Sequence, residues 1–225
     1  MRDHIKNAEY FDIFLNEELT RIAKFESKLK NNEVKEDRID AVKSKLIELK
    51  LGVLIAQYSM GKSVDTIKKD YCSILYACSD VWRPSLYMRN LQIISLGILL
   101  NLKEEMKEVV LPLIISSNTK DWLYEYLIVG ENTNTILFPE PYDMVKEIVD
   151  SSDANKSLLL EEYIKNKWYK AHNDCGWYDT HKSNQNVYSG YWSFEAGAIA
   201  KILKIDDEEL KDLPYYPYDM VHFED

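Results

Sequence analysis

The residues best suited to chemistry lie close together, between His172 and Glu195: His172, Asp174, Cys175, Trp177, Tyr178, Asp179, His181, Lys182, Tyr188, Tyr191, Trp192 and Glu195. Imidazole, thiol and carboxylate groups are the usual ligands of a metal, and a histidine beside a glutamate is a general acid–base pair. Two uses therefore compete with a purely structural one. His172, Asp174 and Cys175 offer metal ligands, although their spacing matches no metal motif, and His181 with Glu195 offers proton transfer. The structural reading is that these groups hydrogen-bond an irregular segment onto neighbouring helices, and on that reading no metal or cofactor is needed.

Glu195 is the most informative of them. Projecting residues 191–204 onto a helix at about 100° per residue puts Glu195 at about 40° from Tyr191, between Ile202 at about 20° and Ile199 at about 80°. A carboxylate in the middle of an apolar face must be paired, hydrogen-bonded or protonated, because burying it alone costs several kcal/mol. The expected partners are His181, Lys182 or a tyrosine hydroxyl, with Tyr188, Tyr216 and Tyr218 within reach in sequence. Glu195 is accordingly expected to be a buried structural clamp.

Other chemistries find no support. Seven scattered glycines form neither a dinucleotide nor a P-loop fingerprint, and the Gly61-Lys-Ser63 triplet lacks the upstream glycine and strand such a loop needs. Three cysteines, Cys72, Cys78 and Cys175, are an odd number without metal spacing, and the first two sit about 240° apart on a helix. With no secretory signal at the start, the expected compartment is the cytoplasm. Leu91–Leu102 is too short and too often interrupted to span a bilayer, so no membrane is expected.

The elements that must position these groups are helical. Ile39, Val42, Leu46, Leu49, Val53, Ala56 and Met60 repeat every three or four residues, and Phe11, Phe14 or Leu15, Glu18, Ile22, Phe25 and Leu29 follow nearly the same spacing. Residues 7–60 therefore read as an antiparallel hairpin of long helices. Gly61 ends the second, and Ser63 with Asp65 supplies N-cap chemistry for a third through Cys78. Pro84 suits the first turn of an apolar helix ending near Leu100, and Pro112 should kink or bound a helix at 103–116. Thr119-Lys-Asp121 reads as the cap of a short helix at Trp122–Val129, and Gly130–Thr135 is the linker candidate. Helices are further expected at 142–149, 154–168, 191–203 and 207–211, with irregular, aromatic-rich chain at 171–190 and 213–225. The tail from Leu213 to His222 reads either as a contact surface or lid, or as a segment packed back into a groove. The fold class is all-α: a helical bundle of two packed subdomains, the first spanning residues 1–130 and the second residues 131–225.

The chain of 225 residues carries 38 acidic and 28 basic groups, a formal charge of −10. Residues 131–225 hold 19 of the acids and 9 of the bases, so the first 130 residues are neutral and the imbalance belongs wholly to the second part. Eight of the sixteen tyrosines and three of the five tryptophans lie between Tyr163 and Tyr218. This balance argues against direct binding of nucleic acid, which needs clustered lysine and arginine. An acidic, aromatic-rich segment suits a protein face for a basic partner.

Particular motifs then suggest a family. Gly176-Trp-Tyr-Asp179, the pair His181-Lys182, the run Tyr188-Ser-Gly-Tyr-Trp-Ser-Phe-Glu-Ala-Gly-Ala-Ile-Ala-Lys-Ile202 and the closing Tyr215-Tyr-Pro-Tyr-Asp-Met-Val-His222 resemble the C-terminal domain of PoNi-like immunity proteins, antidotes to PoNe-type DNase toxins. The resemblance implies an N-terminal helical domain followed by a C-terminal immunity domain, together covering nearly the whole chain. It also implies a cytoplasmic, non-enzymatic protein that binds a cognate basic DNase toxin, of a kind delivered between competing bacteria. The toxin-contact candidates are Asp174, Trp177, Asp179, His181, Glu208, Glu209, Tyr216 and Asp219. The alternative is a small helical enzyme working through His181 and Glu195.

Overall fold

Asn7 starts the first helix, α1 (Ala8–Lys30), by accepting the Tyr10 amide on its side-chain oxygen, and Glu9 in the first turn favours the helix dipole. The computed structural model describes residues 1–130 and 134–224, and among them every regular element is helical. The all-α expectation holds. Residues 131–133 of the linker candidate lie outside the described residues; Gly130 before them is a left-handed helix cap, and no strand forms at Ile136–Phe138.

The chain divides into two compact units, one made of Met1–Trp82 with Asp179–Gly190 and the other of Arg83–Tyr178 with Tyr191–Asp225. The change in composition at residue 130 falls inside the second unit.

In the first unit α1 packs along α2 (Ile39–Met60), the hairpin expected from the apolar stripes. Ile22, Leu46, Leu49 and Val53 form a cluster there, with Leu15, Phe25 and Leu29 packed against it. The second half of α2 is buried on nearly every side, from Leu51 through Val53–Ala56 to Tyr58 and Ser59. That is why its stripe fades toward the C-terminus: a helix wrapped by neighbours has no polar face to preserve. Gly61, at φ +96°, ends α2 in the left-handed region, where a Cβ would also sit 3.2 Å from the Met1 backbone. Ser63 caps α3 (Val64–Cys78), so the Gly61-Lys-Ser63 triplet is a helix stop followed by a helix start.

Segment 179–190 belongs to this unit through hydrogen bonds to residues far away in sequence. Tyr188 donates its amide to the Tyr10 hydroxyl at 2.8 Å, and that hydroxyl donates back to the Tyr188 carbonyl at 3.0 Å. Ser59 donates to the Ser189 carbonyl at 2.8 Å. The Tyr188 hydroxyl, fully buried, donates to Asp3, whose other carboxylate oxygen accepts the Ile5 and Lys6 amides.

The second unit is organised on α4 (Tyr87–Leu99), a helix buried over almost its whole length. α5 (Lys103–Ser116), α6 (Trp122–Val129) and α10 (Phe194–Leu203) all pack on it. Pro84 does not lie in the first turn of α4 as expected. It forms a tight turn before it, closed by the Leu86 amide on the Arg83 carbonyl, which also accepts from Asn90. Pro112 lies within α5, which runs on to Ser116. Asp121 caps α6 and is completely buried. α7 (Pro139–Asp150) and α8 (Asp153–Glu162) follow, then a π-helical turn, Tyr163–Trp168, and the short α9 (Tyr169–Ala171). The tail closes with α11 (Tyr218–Val221). It packs back onto its own unit: Lys201 donates to the carbonyls of Leu99 and Phe223, both at 2.9 Å, and Pro217 lies so near α10 that a Cβ on Gly197 would meet its ring at 2.6 Å. No helix among the described residues is long and apolar enough to cross a membrane.

Asp3→Ala is expected to cost about 1–3 kcal/mol, because it strands the buried Tyr188 hydroxyl and two amides. Urea unfolding reads the loss, and hydrogen exchange should show residues 185–189 opening before the α1–α2 hairpin. Unchanged protection in that segment would mean that Asp3 does not hold it.

Candidate functional site

A cavity of about 330 Å³ opens in the second unit where the start of α4, the start of α7 and the segment after α9 meet. Its aromatic wall is Tyr87, Phe138 and Tyr142, with ring centres 4.5 Å apart for Tyr87 and Phe138 and 5.8 Å apart for Tyr87 and Tyr142. The remaining chemistry comes from Arg89, Glu140, His172, Asp174 and Cys175.

The wall is fixed from behind. Asp121 accepts from the Tyr87 hydroxyl at 3.0 Å, from the Tyr124 amide and from the Leu137 amide, so one buried carboxylate joins α4, α6 and the chain leading into α7. Tyr124 stacks on Tyr87 at 4.7 Å and donates to its carbonyl. Burial and the nearby carboxylate push both phenols far above their ordinary value, so they remain neutral donors. His172, also buried, places Nδ1 2.6 Å from the Trp168 carbonyl and Nε2 3.3 Å from the Tyr142 hydroxyl. A carbonyl only accepts, so Nδ1 carries a proton. Both ring nitrogens are engaged, and the ring is a fixed part of the wall.

Glu195 lies behind this wall, 5% exposed. Its carboxylate accepts from Ser193 at 2.6 Å and from Tyr163 at 3.2 Å. The expected helix start at Tyr191 is too early. Residues 191–193 run outside the helix, the Ser193 amide going to the Tyr215 carbonyl at 2.8 Å, and α10 begins at Phe194. Glu195 therefore occupies the first turn, where the helix dipole favours a carboxylate. The widened turn at Tyr163–Trp168 contributes Tyr163, the Trp168 carbonyl and the Trp168 ring to the same region. The partners expected for Glu195 are engaged elsewhere: Lys182 with Asp179 at 2.8 Å, Tyr188 with Asp3, Tyr216 with Asp207 and Tyr218 with Glu208.

The toxin-contact candidates divide between the units. Asp179 and His181 belong to the first, Asp179 in the left-handed region at φ +58° and His181 with its ring 6.2 Å from that of Tyr188. In the second, Asp174 is exposed at the cavity, and Trp177 is half-buried and stacked on Trp168 at 5.3 Å. Glu208, Glu209 and Asp219 are exposed. Tyr216 is 2% exposed and donates to the equally buried Asp207, so it is core rather than contact surface. Asp207 also accepts from His222 at 2.7 Å. The Tyr218 hydroxyl is pushed up to about 12 by its hydrogen bond to Glu208, then by desolvation and by the charges of Glu208, Asp207 and Asp219. Of the metal candidates, His172 has both nitrogens engaged, and no group of three histidine, cysteine or acidic residues among the described residues is arranged to hold an ion. Sequence reasoning missed Tyr87, Asp121, Tyr142 and Tyr163. Only Asp121 announced itself, and only as a helix cap.

Two outcomes follow from this arrangement. Glu195→Ala, which strands two hydroxyls, is expected to lose about 2–4 kcal/mol in urea unfolding, while Glu195→Gln, which keeps an acceptor oxygen, should lose clearly less. Equal losses would mean that the charge matters, not the acceptor. The Cys175 thiol is pushed up to about 11, first by burial and then by Asp174, so the fold holds its proton. Between about pH 9, where an unfolded thiol ionises, and pH 11 that preference turns into a loss of stability as pH rises. Iodoacetamide should label Cys175 slowly at pH 8 by peptide mass spectrometry, and Asp174→Asn should move the onset of labelling to lower pH. Labelling at pH 8 as fast as in the urea-unfolded chain would contradict this.

Comparison with known proteins agrees with the sequence resemblance. The fold is similar to that of "Protein PA2201 from Pseudomonas aeruginosa", with a TM-score of 0.73 at 16% identity over 98% of this chain and 89% of that one. No curated protein matches the chain. Residues 2–111 match the model of the PoNe immunity protein (PoNi) N-terminal region, and residues 119–220 match that of the C-terminal region. With both halves matched in order, the chain belongs to the PoNe immunity protein (PoNi) family.

Proposed function

We propose that this protein neutralises a cognate PoNe-type DNase toxin by binding it in the cytoplasm, without catalysing a reaction. The observation that carries the reading is the match of both halves of the chain to the two regions of this immunity family. Physical chemistry supplies the mode of action. A DNase presents lysine and arginine to the phosphate backbone, so a protein inhibitor gains association rate and specificity by offering carboxylates to the same surface. Fast association matters for an antidote, because every free toxin molecule can cut DNA.

Three features support an acidic contact surface. The surplus of negative charge lies in residues 131–225, the exposed Asp174, Glu208, Glu209 and Asp219 belong to it, and Trp177 adds a half-buried aromatic anchor. Glu208 accepts from the Tyr218 hydroxyl at 2.8 Å, and the Lys211 ammonium lies 5.5 Å from the centre of the same ring. Asp179 is paired with Lys182, so it adds less to the negative field.

Purified protein is expected to bind a catalytically inactivated cognate toxin and to protect DNA from the active one at a one-to-one ratio. The Glu208→Lys/Glu209→Lys/Asp219→Lys variant should bind at least tenfold more weakly and show a shallower dependence of affinity on salt. Toxin affinity and salt dependence both unchanged in this variant would remove the acidic surface from the mechanism.

A further inference from the structure

The cavity in the second unit has no role assigned by family membership, and its lining has a definite chemistry. The geometry points to a receptor for a single arginine side chain of the partner, its guanidinium seated against the exposed ring of Phe138, which Tyr87 and Tyr142 back, and met at the rim by Glu140 and Asp174. This rests on the toxin-binding reading and assigns that reading a specific contact.

Size sets the first limit. About 330 Å³ is at the small end of ligand pockets, which run from about 300 to 1,000 Å³, so it takes one side chain and not a nucleotide. Charge sets the second. Glu140 and Asp174 are exposed and make no ion pair among the described residues. Asp150, Asp153 and Glu161 of the same unit, by contrast, are each matched with a lysine three or four residues away. An anion entering here would meet two unneutralised carboxylates. Arg89 also lines the cavity but is 7% exposed, so the exposed charges there are those of Glu140 and Asp174. The Cys175 thiol remains protonated and adds no charge, and both His172 nitrogens are engaged in the wall.

Apolar exposure sets the third limit. Phe138 is 47% exposed and its neighbour Leu137 45%, an open apolar surface beside the carboxylates. A flat cation that can stack on a ring while its fork engages a carboxylate fits both halves of this lining. Arginine does so, whereas lysine, a compact and strongly hydrated point charge, does not.

The test uses the full chain and the inactivated cognate toxin, with Glu140→Lys, Asp174→Lys and Phe138→Ala, all at exposed positions, and Glu108→Lys on α5 as comparison. Circular dichroism melts verify that each variant folds. Each cavity variant is expected to weaken binding at least tenfold, chiefly by faster dissociation, while Glu108→Lys remains within twofold. An arginine-to-alanine scan of the toxin should find one position whose loss is not additive with Asp174→Asn. Wild-type binding with all three cavity variants within twofold overturns the receptor and leaves the immunity reading intact. Failure of the wild type to bind the toxin overturns both. If Phe138→Ala instead abolishes self-association in light scattering, the occupant is a second copy of this chain and the arginine proposal fails.

Discussion

Four buried carboxylates, Asp3, Asp121, Glu195 and Asp207, each accept a hydrogen bond from a tyrosine hydroxyl: Tyr188, Tyr87, Tyr163 and Tyr216 respectively. Tyrosine is suited to this task because its ring fills apolar space while its hydroxyl donates, so an acid can be buried without bringing a second charge out of water. Pairing each acid with a lysine instead would require two ions to be desolvated for one contact. A hydrogen bond to a charged group contributes about 1.5–3 kcal/mol, but stranding either member costs as much again. The pairs are therefore strong constraints on where segments distant in sequence can lie. They fasten residues 185 positions apart in the first unit and 34, 32 and 9 positions apart in the second.

The same pairs shape the candidate site. Tyr87 is held by Asp121, Tyr142 by His172 and Met88, and Tyr163 by Glu195, so the cavity wall is set by contacts on its buried side. A wall that is already ordered loses little conformational freedom when a partner arrives, and this is where affinity is gained without additional contact area. Rigidity behind and exposure in front, at Phe138, Glu140 and Asp174, are what a binding surface needs.

Local rules made much of the fold legible. The α1–α2 hairpin followed from three-four spacing, and the ends at Gly61, Ser63 and Asp121 followed from cap chemistry. The sequence also marked Glu195 as a carboxylate on an apolar face, but it could not supply the partner. Tyr163 is 32 residues away on a π-helical turn, and no periodicity announces such a turn. The displaced start of α10 has a similar cause. Tyr191, Trp192 and Ser193 fit a helix by pattern, but the Ser193 amide is taken by the tail at Tyr215, a long-range bond that local propensity does not see. Of the two readings of the Pro- and Tyr-rich tail, packing back into a groove is the one the fold adopts: Gly197 lets Pro217 settle against α10, and Tyr216 is buried with it.

This changes the meaning of the acidic, tyrosine-rich composition of residues 131–225. Part of it is internal: Glu195 and Asp207, with Tyr142, Tyr163, Tyr188 and Tyr216, are buried and serve the fold. A partner can touch fewer than the 19 acids of this region. The exposed carboxylates differ in turn, since those beside a lysine present a dipole, while Glu140 and Asp174 present net charge. Long-range steering depends on the total, −10, but contact energy depends on which carboxylates remain unneutralised next to apolar surface that a partner can cover. Glu140 and Asp174, beside the exposed ring of Phe138, meet that criterion.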